Sequence, residues 1–248
     1  MITFCLKSFG KVKLIVSRLS KLTNHIECIL NSDCIRFIYN NISITVELKI
    51  LEGVLSEEGE GFRLNVGNLH NILKNIPAIS SLNCKWNMKE ELILLTETRR
   101  SFGRAKRNNS TKIIVEPLSV SEGVFDDLNE NLLEKNGIEV SLNHLIWVVE
   151  KIEPCFEKIK LTFCDEKLCI KASLEEYHSY SEIKYEEGII FKEKFEKVKL
   201  DILCDKFLYM LWLLELVSCK VRFYIDPKTL KIYALSKSEN EEVLLILG

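Results

Sequence analysis

What this chain lacks excludes more functions than its composition suggests. Its most apolar stretch, Phe207 to Val217, is too short to cross a bilayer and contains Glu215. The opening "MITFCLKSFGKVK" carries charges where a signal peptide needs an apolar run, so neither secretion nor membrane insertion is expected. There is no excess of either charge: the net value of −2 argues against bulk nucleic-acid affinity, and any basic surface must be local. Nine cysteines include no CxxC pair, and the four histidines are dispersed, which is poor spacing for zinc. The cysteines read as reduced thiols filling strand positions. No glycine-rich phosphate loop, nucleophile elbow or HExxH is present. Paired acids such as Glu57-Glu58, Glu175-Glu176 and Glu186-Glu187 fall in polar, loop-like segments and read as solvated faces. The expectation is a non-enzyme without cofactor or metal. The alternative is an enzyme whose site is assembled from dispersed cysteine, histidine and acidic residues.

What the chain has is a repeat. In "GIEVSLNHLIWVVEKIEP", Ile138, Val140 and Leu142 alternate with Glu139 and Ser141, the pattern of a half-buried strand. The period then changes. Leu142, Leu145, Ile146, Val149 and Ile152 form one stripe of a helix, with Ser141 or Asn143 as cap and Pro154 as stop. "KIKLTF" and "KLCIKAS" then alternate around "CDEK", so the unit is strand, helix, hairpin. Similar units start near residues 2, 62 and 198, with hairpin turns at Asn31–Asp33, Asn87–Glu90 and Asp226-Pro227. Spacings of roughly 60, 76 and 60 residues divide the chain into two similar halves of two units each. The expected architecture is α+β: an N-terminal domain over 1–116, a connector over 117–137 and a C-terminal domain over 138–248. The connector is acidic and aperiodic, and it is either a tether or a peptide-docking edge.

Basic residues cluster twice. On the first helix, Val12, Ile15, Val16, Leu19 and Leu22 make the buried stripe, while Lys11, Arg18 and Lys21 share another face beside Lys13. "RRSFGRAKR" (Arg99, Arg100, Arg104, Lys106, Arg107) lies between apparent strands, and Asn108, Asn109 and Ser110 mark it as a loop. It reads as a localisation signal, a phosphate contact or a solvated loop. The fourth helix, around Phe207 to Val217, has almost no polar face and is expected to be buried.

The chain resembles the DNA sliding clamps typified by proliferating cell nuclear antigen, over essentially its full length. Within that superfamily the likeness is to the Hus-type subunit of the heterotrimeric DNA-damage checkpoint clamp. It is carried by "HIECILNSDCIRFIY", "ISITVELKILEGVL", "NLHNILKNIPAISSLNCKW" and "WVVEKIEPCFEKIKLTF". The resemblance implies a ring of three subunits, with sheets outside and helices lining a channel for double-stranded DNA, held without sequence specificity. It implies that Lys11, Lys13, Arg18, Lys21 and Lys74 face DNA. It also implies a partner-peptide groove formed by Val124, Phe125 and Leu128 on the connector with Tyr39 and Ile42. Implied partners are two other clamp subunits, a clamp loader and client repair proteins, in the nucleus if the source is eukaryotic and otherwise in the cytoplasm. A homotrimeric replicative clamp is the alternative within the family. The second half departs from a uniformly basic lining, with Lys151 against Glu150 and Glu153, and Lys206 against Asp205 and Glu215.

Overall fold

The structure is a computed structural model describing residues 1–6, 9–40, 42–55, 60–76, 82–98, 107–118, 137–164, 167–184, 198–225, 231–239 and 241–247. It is mixed α+β, with mostly antiparallel strands and four helices among the described residues. The chain separates into two compact units, 1–123 and 124–248.

The first unit runs β1 (Ile2–Leu6), α1 (Phe9–Leu22), β2 (His25–Leu30), β3 (Cys34–Tyr39), β4 (Ile42–Glu52), β5 (Glu60–Asn65), α2 (Val66–Lys74), β6 (Leu82–Trp86), β7 (Glu91–Thr98), β8 (Arg107–Ile114) and β9 (Glu116–Leu118). Each helix follows a strand and precedes three more, so the repeating element is one strand longer than strand, helix, hairpin. The two repeats exchange their first strands. β1 pairs with β6 of the second repeat, and β5 pairs with β2 of the first. Neither repeat can complete its ladder alone, which explains why they occur in twos. The eleven-residue β4 uses Ile42–Glu47 against β3 and Leu48–Glu52 against β1, joining both halves into one sheet. Across the core, Phe62 of β5 meets Trp86 of β6 with ring centroids 4.8 Å apart. Edge and tilted ring pairs of this kind add about 1 kcal/mol to area burial.

Turn chemistry fixes the register. Asn87 accepts from the backbone N–H of Lys89 and Glu91, closing the β6–β7 hairpin, and the Trp86 indole N–H donates to the Lys89 carbonyl. After β4, Gly53 has φ +97°, and a Cβ there would lie 2.7 Å from the Met1 carbonyl oxygen, so only glycine fits. Residues 117 and 118, expected at the start of the connector, instead pair with β5 as part of β9. Asn108, Asn109 and Ser110, read as loop markers, lie in β8 opposite Glu97, Thr96 and Leu95. Their partner strand supplies the hydrogen bonds that such residues otherwise seek from turns.

The second unit repeats the plan: β10 (Gly137–Ser141), α3 (Leu142–Ile152), β11 (Lys158–Phe163), β12 (Lys167–Leu174), β13 (Tyr177–Lys184), β14 (Val198–Leu203), α4 (Cys204–Glu215), β15 (Lys220–Ile225), β16 (Ile232–Lys237) and β17 (Glu242–Leu247). First strands are exchanged again, β10 with β15 and β14 with β11. Within this unit the strands form two ladders, β10-β15-β16-β17 and β13-β12-β11-β14. Phe163 of one meets Phe223 of the other edge-on, with ring centroids 5.2 Å apart. Ser141 caps α3, accepting from the His144 N–H at 3.4 Å, as its position before the apolar stripe predicts.

In each unit the helices lie side by side, α1 with α2 and α3 with α4. No helix among the described residues is long and apolar enough to cross a membrane. The all-apolar face expected of α4 is buried only in part. Phe207, Leu208, Leu211, Leu213 and Leu214 are covered, whereas Tyr209, Met210 and Trp212 are half-buried.

Candidate nucleic-acid interface

Helix α1 buries Phe9, Val12, Ile15, Val16 and Leu19, and α2 buries Val66, Leu69 and Leu73. This leaves Lys21 and Lys74 exposed and Lys11 and Arg18 half-buried. Neither helix contains an acidic residue. Arg18 extends into the structure far enough that its Nη1 atom is buried. Leu14, half exposed at 50%, lies between the basic positions of α1 and dilutes that face.

Lys13 has a different task from the others. Its Nζ donates to the carbonyls of Lys74 and Ile76, at 3.0 and 2.9 Å. These carbonyls lie at and just past the end of α2, where backbone acceptors lack intrahelical partners and the helix dipole favours a cation. Lys13 is therefore a clasp between two helices, and its charge is committed to backbone. The exposed Lys74 donates to Asn71 Oδ1 at 3.0 Å, an arrangement within α2 that leaves its ammonium at the surface. Asn65 caps the other end of α2, accepting from Asn68 N–H at 2.8 Å.

The helix face of the second unit is chemically different. Asn143, His144, Trp147, Glu150 and Lys151 are the exposed residues of α3. Trp147 stands at the centre of this face, 53% exposed, with Lys151 Nζ 3.6 Å from its ring centroid and the His144 ring at 6.0 Å. This is cation–π geometry. On α4, Asp205, Lys206 and Glu215 are exposed, and Tyr209 meets Trp212 edge-on at 5.3 Å. Sequence reasoning passed over Trp147, although its place off the 142, 145, 146, 149 stripe marks it as outward-facing.

Other expected site residues fall differently. Tyr39 is half-buried, but Ile42 is only 2% exposed and lies opposite Tyr39 across the β3–β4 turn, so it is a core residue and no groove wall. Arg107 belongs to β8 rather than a loop. Arg99, Arg100, Arg104, Lys106, Val124, Phe125 and Leu128 lie outside the described residues.

Burial pushes the Cys28 and Cys84 thiols far up and Cys204 to about 11, so these three are poor nucleophiles and poor metal ligands at neutral pH. Among the described residues no group of three histidine, cysteine or acidic side chains is placed to hold a metal ion. No family model matches the chain, and no curated protein matches it significantly in sequence.

Proposed function

We propose that this chain is a non-catalytic subunit of a ring-shaped DNA clamp, of the Hus type found in the DNA-damage checkpoint clamp. It encircles duplex DNA with two other clamp subunits, is placed there by a clamp loader, and serves as a platform for repair and signalling proteins. The observation that carries this reading is the duplicated plan. Four repeats of strand, helix and three strands occur in two units, with first strands exchanged within each. Such a plan places two adjacent helices per unit on a strand scaffold, a regular surface suited to repetition around a channel. The acid-free α1–α2 face supplies the non-specific phosphate attraction that a sliding ring needs.

The test is topological. The chain, assembled with its co-purifying partners, is loaded on nicked circular DNA and washed. Retention that disappears when the circle is linearised is the expected result. Equal retention on linear DNA with open ends would overturn the reading. Lys21→Glu with Lys74→Glu should lower the slope of log affinity against log salt by roughly two units while leaving assembly intact. Arg18 is left unchanged in this pair because its half-buried guanidinium would confound binding with folding.

A further inference from the structure

Two thiols of the second unit are held against each other. Cys164 follows β11, Cys169 lies in β12, and their Sγ atoms are 4.0 Å apart. Strand alternation puts them on one face. Leu161 and Phe163 of β11 and Leu168 and Ile170 of β12 are fully buried, so Thr162, Cys164 and Cys169 turn to the opposite face. Register does the rest. Thr162 lies opposite Cys169, and the Cys164 N–H donates to the Lys167 carbonyl at 3.0 Å, which sets Cys164 one step further along that face. The two sulfurs are therefore diagonal neighbours across the hairpin.

Their surroundings divide the two roles that disulfide formation needs. Cys164 is half-buried, within reach of a small oxidant, whereas Cys169 is 6% exposed. The Lys167 ammonium donates to the Glu182 carboxylate; that hydrogen bond chiefly, and the two sulfurs in part, raise the lysine's pKa. Lys167 thus stays charged beside the pair, and thiolate, the form that reacts, is favoured by a neighbouring cation. The Tyr180 hydroxyl donates to Glu182 and stands 3.6 Å from Cys169 Sγ, covering that sulfur on the β13 side. A disulfide requires the sulfurs to close by about 2 Å, a movement that side-chain rotation and a small shift of the hairpin supply.

The geometry points to an oxidative modification site: a peroxide converts Cys164 and Cys169 into an intramolecular disulfide that a dithiol reductant reverses. The Cys164 thiolate attacks a peroxide oxygen; the O–O bond breaks, giving a Cys164 sulfenic acid and hydroxide. The Cys169 sulfur then attacks the Cys164 sulfur, the S–O bond breaks, and water leaves with the Cys169 proton. In sum, two thiols lose two electrons and two protons, and one hydrogen peroxide becomes two waters. The cross-link ties β11 to β12 at the end of their hairpin. This goes beyond the DNA reading and does not rest on it. The isolated full chain suffices for the test, without DNA or ring partners, so its failure would leave the clamp proposal standing.

The full chain, reduced and then freed of reductant, is treated with hydrogen peroxide, blocked with N-ethylmaleimide and digested with trypsin under non-reducing conditions. Cleavage after Lys167 separates the two cysteines, so the expected product in the mass spectrum is residues 161–167 linked to residues 168–171, lost on adding dithiothreitol. The link should form about tenfold faster in the folded chain than in the urea-unfolded one, because the fold holds the sulfurs together. Cys169→Ser should stop oxidation at a Cys164 sulfenic acid, which dimedone labels. Cys164→Ser should leave Cys169 a thiol at peroxide levels that oxidise the parent. Cys164 is half-buried, so C164S keeps the test valid even where C169S perturbs folding, which a thermal melt reports. Oxidation of the exposed Cys155 and Cys219 while Cys164 and Cys169 remain thiols would overturn the proposal. So would equal rates in the folded and unfolded chain, which would make the link a product of sequence proximity, or pairing of Cys164 with a cysteine of a second chain.

Discussion

A lysine's identity says little about its work until its Nζ is located. Lys13 and Lys21 are eight residues apart on one basic helix, yet Lys13 donates to two α2 carbonyls while Lys21 is exposed. Hydrogen bonds from charged donors contribute more than neutral ones, so Lys13→Met should destabilise the fold by about 1.5 kcal/mol. Lys21→Met should cost less than about 0.5 kcal/mol, as surface changes do. Urea unfolding of both variants distinguishes them, and equal effects would remove the clasp assignment. Glu139 gives a second residue-level expectation. The Lys220 hydrogen bond, helped by Arg222, holds its carboxyl below the usual range against the opposing effect of burial. A group with a depressed folded pKa stabilises the fold above its unfolded value, about 4.3, and loses that contribution as pH falls through the folded pKa. The stability difference between the parent and Glu139→Gln should therefore be present at pH 7 and shrink on acidification below about pH 4. Denaturant curves at pH 7 and pH 3 check this, and a gap that widens in acid would contradict it.

At the scale of elements, periodicity and caps made the helices readable, because each buries one side against strands. The stripe Leu142, Leu145, Ile146, Val149 and Ile152 is buried, and the Ser141 cap forms. The Asn87 turn was equally legible, since an asparagine that bonds the backbone two residues on is a local device. The last strand of each repeat was harder. β13, "YHSYSEIK", pairs on one side only among the described residues and exposes most of its side chains, so it has little apolar alternation to detect. β8 contains Asn108, Asn109 and Ser110, and only its partner β7 makes a strand of them. Long-range pairing overrode local propensity there. For the site residues, sequence gave the face but not the partners. Lys13 belongs with Lys11 and Lys21 by composition, and only the end of α2 separates it from them. Ile42 shows the reverse error, a groove assignment made by position that burial removes.

For the whole molecule, the uneven helix faces bear on how the proposed ring would close. The first unit's helices hold Lys11, Lys13, Arg18, Lys21 and Lys74 without an acid, whereas the second unit's set Lys151 and Lys206 against Glu150, Asp205 and Glu215. A homotrimer of such chains would alternate basic and mildly acidic stretches around its channel. A heterotrimer has no such restriction, because two different subunits could supply the excess of positive charge that this chain's second unit lacks. A closed homomeric ring also demands that each subunit's leading edge match its own trailing edge, a condition that distinct neighbours remove. The isolated chain should therefore remain a monomer of 28.7 kDa by light scattering, or be poorly soluble, and form a three-subunit ring only with two different partners. A stable species of three times that mass from this chain alone would favour the homotrimeric replicative clamp and overturn the Hus-type assignment.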